Sequence, residues 1–137
     1  MTACNIRLVG RGKMPVRGSA QSAGLDLYSS DSRLLLPLVP VTLHTGIVVE
    51  LPRGHVGRIW PRSGLSRRGI QVLGGVLDSD YRGELMVILV LLSWRPYFVR
   101  AGDRVAQLAV LRYVDVGPTP TLMSTERGAA GLGSTGR

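Results

Sequence analysis

The run Gly75-Val76-Leu77-Asp78-Ser79-Asp80-Tyr81-Arg82-Gly83-Glu84 sets two carboxylates two positions apart in a glycine-flanked turn beside a tyrosine. Such a turn can form a polar pocket in which one carboxylate orients a water and the ring covers an apolar sugar face. A solvated turn tip, where Asp only favours the local geometry, would use the same residues. Pro61-Arg62-Ser63-Gly64-Leu65 lines up a guanidinium, a hydroxyl and an unhindered amide, a set that suits phosphate oxygens as well as an ordinary turn. Ala23-Gly24-Leu25-Asp26-Leu27-Tyr28 holds a carboxylate between apolar neighbours, where it needs hydrogen bonds or a cation. Gly102-Asp103-Arg104-Val105-Ala106-Gln107-Leu108 reads as a turn followed by a Gln on a strand. Near the end, Gly128 and Gly133 have the spacing of a phosphate-binding loop, but Ser134 stands where that loop needs lysine and no βαβ pattern surrounds it. With Arg127, this stretch is either a flexible arm whose amides wrap phosphate or simply a disordered terminus.

These segments sit between short runs rich in Val, Leu and Ile, broken up by 18 glycines and 8 prolines in 137 residues. That punctuation predicts an all-β sandwich or barrel. Leu51-Pro52-Arg53-Gly54 predicts a hairpin joining Val48–Glu50 to Val56–Trp60, and Leu77–Gly83 predicts a second hairpin-like turn before Leu85–Leu92. Helix is limited to one turn within Ser63–Gly69. Leu85–Leu92 is apolar at every position, so it requires cover on both faces, and a second copy of the chain is the simplest second cover. The division expected is a core over residues 1–116 and a flexible Gly-rich C-terminal arm over 117–137.

Composition narrows the chemistry. There are 17 basic residues against 9 acidic, a formal charge of +8, and all the basic residues except Lys13 are arginine. Guanidinium groups favour forked phosphate contacts, although a GC-rich coding bias would give the same imbalance. Cys4 is the only cysteine, and His44 and His55 are the only histidines, which excludes a disulfide framework, a cysteine zinc cluster and a histidine metal site and favours an intracellular setting. Leu85–Leu92 is the longest apolar run, far short of the roughly 20 residues that cross a bilayer, and no signal-peptide stretch opens the chain, so no membrane association is expected. Aromatic residues are 5% of the chain and Phe98 is the only phenylalanine, so a base-stacking platform for nucleic acid is not expected.

Taken in order, AGLDL, PRSGL, GVLDSDYRGE, GDRVAQL and RGAAGLGSTG resemble the motifs of the homotrimeric dUTPase family, over Ala23 to Gly136. The resemblance implies a distorted jelly-roll trimer that hydrolyses dUTP to dUMP and pyrophosphate, with Mg²⁺ held by the triphosphate and water and no direct protein ligand. It implies that Asp78 orients and deprotonates the attacking water and contacts the 3′-hydroxyl, and that Tyr81 packs under the deoxyribose and excludes a 2′-hydroxyl. Gly75, Val76, Leu77 and Met86 would surround the uracil edge. Arg62, Ser63 and Gly64 would hold phosphate oxygens, and Gln107 the α-phosphate and the water. Arg127 would reach the γ-phosphate as the arm, with Leu132, Gly133 and Ser134, closes over the site of a neighbouring subunit. Asp26 would support the metal–water network indirectly. The family usually has phenylalanine at the position of Leu132, so apolar cover is kept while stacking on uracil, worth roughly 1 kcal/mol, is lost. Leu77, where isoleucine is usual, is a mild change.

Three other functions compete. A viral accessory or interaction protein derived from a dUTPase would tend to lose Asp78, Tyr81, Arg62, Ser63, Gln107 and Arg127, all of which are present. A deaminase of related fold does not match the arm and the Asp78 segment. A general nucleic-acid binder is opposed by the scattered arginines.

Overall fold

The computed structural model describes residues 4–133. Its strands, in chain order, are β1 (Asn5–Leu8), β2 (Val16–Arg17), β3 (Leu25–Tyr28), β4 (Arg33–Leu35), β5 (Val41–Glu50) and β6 (His55–Trp60). The single helical turn α1 (Ser63–Ser66) follows, then β7 (Ile70–Leu73), β8 (Val76–Leu77), β9 (Glu84–Leu91), β10 (Tyr97–Val99) and β11 (Arg104–Arg112). The all-β expectation holds, and α1 falls inside the stretch expected to allow one helical turn.

Two antiparallel sheets form the layers. The first has the order β1-β5-β9-β7 and the second β2-β3-β11-β6-β8, while β10 and β4 pair as a separate ribbon. Side chains of successive strand residues point to opposite faces, so Leu43, Ile47 and Val49 on β5 and Leu85, Val87 and Leu89 on β9 enter the interior together. From the second sheet Leu27, Ile59, Leu77 and Leu108 meet them, and Ile70, Leu35 and Val99 complete the same core. Burying each such side chain contributes roughly 1.5–3 kcal/mol relative to leaving it in water.

Both expected hairpins are instead crossings between layers. β5 lies in the first sheet and β6 in the second, and β8 pairs with β6 while β9 pairs with β5 and β7. The Pro52–Gly54 turn is real: the His55 amide donates to the Pro52 carbonyl at 3.2 Å, and Gly54 takes φ 74°. What separates the strands is the core. Val49 and Leu51 on one side of the turn and Ile59 on the other are all buried in the same interior and so face each other across it. The turn residues are the same whether a chain stays in one sheet or passes over its end.

Within one chain β9 is buried on both faces only at its end, through Val90 and Leu91, and Met86 and Ile88 on its outer face stay 41% and 37% exposed. β5 carries an irregularity between His44 and Val48, centred on Thr45 and Gly46. Gly46 has φ 66° and packs directly against Gly12, where neither residue has room for a Cβ.

Candidate active site

The second sheet gathers three distant parts of the sequence. On β11, Gln107 stands opposite Asp26 of β3 on one side and Trp60 of β6 on the other. Arg62 follows two residues after Trp60, at the entrance to α1. Its Nε donates to Asp26 Oδ1 at 3.1 Å, and Arg104 Nη1 donates to Asp26 Oδ2 at 3.3 Å. With its side chain only 13% exposed, Asp26 is therefore not an open ligand; its two oxygens are taken by two cations. Gln107 Nε2 donates to the Pro61 carbonyl at 3.0 Å, which ties the amide to the same turn. Gly24 makes this possible, since a Cβ there would collide with Gln107 Oε1. Ser63 and Gly64 are exposed on α1 beside this cluster.

A second group lies at the edge where β8 meets β7 and β9. Gly75, Val76, Leu77, Asp78, Tyr81 and Met86 line one cleft of about 230 Å³, together with Ile59, Val72, Leu73, Glu84, Leu85 and Ile88. Six of the residues read from the sequence as substrate-binding thus share one cavity. Gly75 is required by its backbone: φ is 92°, and a Cβ would sit 2.6 Å from the Ile59 carbonyl oxygen. The Gly75 carbonyl itself accepts from the Ile59 amide at 2.8 Å. Asp78 lines both this cleft and a larger, polar one of about 1150 Å³ whose walls include Arg53, His55, Asp80 and Arg82. Tyr81 Oη donates to the Glu84 carbonyl at 3.0 Å, and Gly83 lacks the Cβ that would strike the ring. A ring-shaped apolar ligand portion placed here has its exit beside the Asp78 carboxylate.

Glu84 and Arg104 are the members that sequence reasoning passed over. Each lies inside a segment already singled out, so the signal was present; what was missing was the strand pairing that gives each a partner. Glu84 Oε1 accepts from the Gly46 amide at 2.8 Å, and Oε2 bonds His44 Nδ1 at 3.0 Å. Burial pushes the Glu84 carboxyl up, but hydrogen bonds from His44 and from the Gly46 and Thr45 amides outweigh it and hold it below the usual carboxylate value. The same hydrogen bond, with the Glu84 charge, raises His44 above its ordinary value, and Arg33 offsets part of this.

The arm stands apart. Beyond β11, Arg127 Nε donates to the Ala130 carbonyl at 2.8 Å and the Gly128 amide to Thr125 Oγ1 at 3.1 Å, forming a small self-contained turn. Leu132 is fully exposed with φ 48°, and Gly133 has φ 82°. Ser134 lies outside the described residues. Among the described residues, no side-chain hydrogen bond joins the arm to the cleft or to the Arg62 cluster, whereas β6 links those two groups, Ile59 lining the cleft and Trp60 pairing with Gln107. Among the described residues, too, no group of three or more His, Cys, Asp or Glu is arranged to hold a metal ion, and no helix is long and apolar enough to cross a membrane.

The all-β sandwich thus presents a pair of guanidinium groups held by Asp26 and a small, mainly apolar cleft with Asp78 in its wall, groups whose chemistry suits an anionic ligand with a compact ring. A family model described as dUTPase matches residues 11–136. The deoxyuridine 5′-triphosphate nucleotidohydrolase of Paramecium bursaria Chlorella virus 1 is 44% identical over 133 residues, covering 95% of this chain and 94% of that protein. The Mus musculus enzyme of the same name is 42% identical over 135 residues, covering 96% and 83%. In fold, the chain is similar to the Staphylococcus bacteriophage 80alpha dUTPase with dUPNHPP, with a TM-score of 0.87, 24% identity and 100% of each chain covered. It is also similar to a mutant dUTPase from phage phi11 of S. aureus whose structure details a structural Mg(II) ion, with a TM-score of 0.76, 24% identity, and 90% and 97% covered. The chain belongs to the dUTPase family.

Proposed function

We propose that the chain hydrolyses dUTP to dUMP and pyrophosphate inside the cell. One observation carries the assignment of the site: Gly75, Val76, Leu77, Asp78, Tyr81 and Met86 wall a single cleft of about 230 Å³ with Asp78 at its junction to open polar space. The uracil lies between β8 and β9, its edge met by backbone groups of residues 75–77, and the Tyr81 ring packs under the deoxyribose. Asp78 holds the attacking water and takes its proton as the water's oxygen bonds to the α-phosphorus and the bond to the bridging oxygen breaks, releasing pyrophosphate. Arg62, Ser63 and Gly64 hold phosphate oxygens and Gln107 the α-phosphate, with Arg127 on the γ-phosphate. Leu132, Gly133 and Ser134 cover the base.

Mg²⁺ fits this donor set as a passenger of the substrate. It is a hard ion that keeps several waters and is commonly held through phosphates, and the Asp26 oxygens are already committed to Arg62 and Arg104. When bound, the ion neutralises charge on the triphosphate oxygens. Asp26 serves the phosphates by holding Arg62.

The working unit is a homotrimer built on a core of residues 1–116, with residues 117–137 as an arm that closes over a neighbouring copy's site. Among the described residues of one chain the Arg127 turn makes no hydrogen bond to the cleft or to the Arg62–Gln107 cluster, which supports an arm that closes over the site of another copy. Pyrophosphate release from dUTP with Mg²⁺, against UTP, dTTP and dCTP, tests the function. Mixing Asp78→Asn and Arg62→Ala chains tests the sharing: recovered activity in the mixture is expected, and none would mean that each copy holds a whole site.

A further inference from the structure

Tyr81, the ring placed under the sugar, is anchored at one polar point, its hydroxyl donating to the Glu84 carbonyl at 3.0 Å. Glu84 is in turn fixed from the other side. Its carboxylate reaches across to β5, accepting from the Gly46 amide at 2.8 Å and bonding His44 Nδ1 at 3.0 Å. His44 borders the irregularity of the β5–β9 ladder, where pairing breaks between His44 and Val48, and Gly46 lies within it. Thr45, 1% exposed, adds a hydroxyl bond to the Leu85 carbonyl, so the start of β9 is bolted to β5 by three side chains. Gly46 cannot shift easily, because its backbone packs against Gly12 without space for a Cβ. The chain of contact therefore runs from a rigid point of the first sheet, through the Glu84 side chain and main chain, to the Tyr81 hydroxyl.

We infer that Glu84, braced by His44 and the Gly46 amide, is a positioning residue that holds the Tyr81 ring against the sugar and thereby sets the preference for the 2′-deoxy over the ribo substrate. The inference rests on the reading of the cleft as the deoxyuridine site. A ring free to tilt leaves space for a 2′-hydroxyl, so loosening the brace admits UTP while leaving Asp78 and the phosphate cluster in place. Charged groups around the brace come from three elements: His44 on β5 faces Glu84 of β9, Asp31 before β4 accepts from the His44 amide at 3.2 Å, and Arg33 lies next to Asp31 at 3.4 Å. Arg11 shares the shallow cleft formed there. As pH rises and His44 loses its proton, the charged part of the brace disappears and discrimination falls.

The test is the ratio of kcat/KM for dUTP to that for UTP, measured from pH 6 to 9 on the full chain with Mg²⁺, for wild type, Glu84→Ala, Glu84→Gln and His44→Gln. Glu84→Ala is expected to lower the ratio about tenfold, through higher KM for dUTP and gained turnover of UTP, with kcat for dUTP within about twofold. Glu84→Gln keeps an acceptor for the Gly46 amide but loses the charge opposite His44, and is expected to restore part of the ratio, at the level the wild type shows at high pH, without pH dependence; His44→Gln is likewise expected to flatten the pH dependence of the ratio. An unchanged ratio in Glu84→Ala, or an equal fall in kcat for both substrates, would overturn the inference. If Glu84→Ala does not fold, a flat pH dependence already present in the wild type overturns it instead. A wild type that turns over neither nucleotide would refute the function itself, a different outcome from an active enzyme with an unaltered ratio.

Discussion

Asp26 grips Arg62 through Nε, at 3.1 Å, and so occupies the one guanidinium nitrogen that a forked contact from the two Nη groups does not use. Asp26 also accepts from Arg104, so it holds in place the cation to which the proposed function gives the phosphates. Asp26→Asn is expected to raise KM for dUTP about tenfold, the roughly 1.4 kcal/mol of one charge-assisted contact, with a smaller effect on kcat. Steady-state kinetics with saturating Mg²⁺ decide this, and a loss of kcat at unchanged KM would contradict it.

Gly24 leaves open the volume that the Gln107 amide fills. Gly24→Ala is expected to push that amide off the Pro61 carbonyl and lower kcat on the order of 10²-fold, as misplacing a reacting contact by about 1 Å does. Comparing kcat with the thermal midpoint separates a displaced Gln107 from an unfolded strand.

Leu132 gives the arm an apolar but non-aromatic tip. Leu132→Phe is expected to add stacking of about 1 kcal/mol and lower KM for dUTP about fivefold. An unchanged KM would mean that the arm closes without setting residue 132 on the base.

The His44–Glu84 pair fixes a pH window for stability. His44 is raised in the fold, so its contribution is complete below its ordinary value and is lost as pH climbs through the raised one. Glu84 is lowered, so its contribution is present above its ordinary value and is lost as pH drops through the lowered one. The difference in unfolding midpoint between wild type and Glu84→Gln is expected to be largest from mildly acidic to neutral pH and to shrink on both sides. A difference that grows into alkali would contradict the pairing.

How far the sequence reached follows from what its signals encode. Gly and Pro spacing announced short strands, and the motif around Asp78 singled out Asp78 and Tyr81, because local chemistry and turn geometry are written locally; Gly75, Val76, Leu77 and Met86 were named through the family resemblance, and all six line one cleft. Layer assignment was not legible: Pro52–Gly54 and Asp78–Gly83 turn the chain equally well within a sheet or between sheets, and only the opposition of Val49 and Ile59 across the core decides. Glu84 and Arg104 were missed for the same reason, since each acquires its role from a residue 40 and 78 positions away, His44 and Asp26. The β9 run announced a strand apolar on both faces, but not that Met86 and Ile88 on its outer face line a cleft, because a cleft exists only once β7 and β8 are placed beside it.

The most direct test compares pyrophosphate release from dUTP by the wild-type chain and by Asp78→Asn, with Mg²⁺ at neutral pH. The wild type is expected to release pyrophosphate with dUTP well ahead of UTP, dTTP and dCTP, and Asp78→Asn to lose on the order of 10²–10⁴-fold in kcat, as removal of a general base does. Equal rates for the two proteins would contradict the role given to Asp78, and no release by the wild type would contradict the proposed hydrolysis.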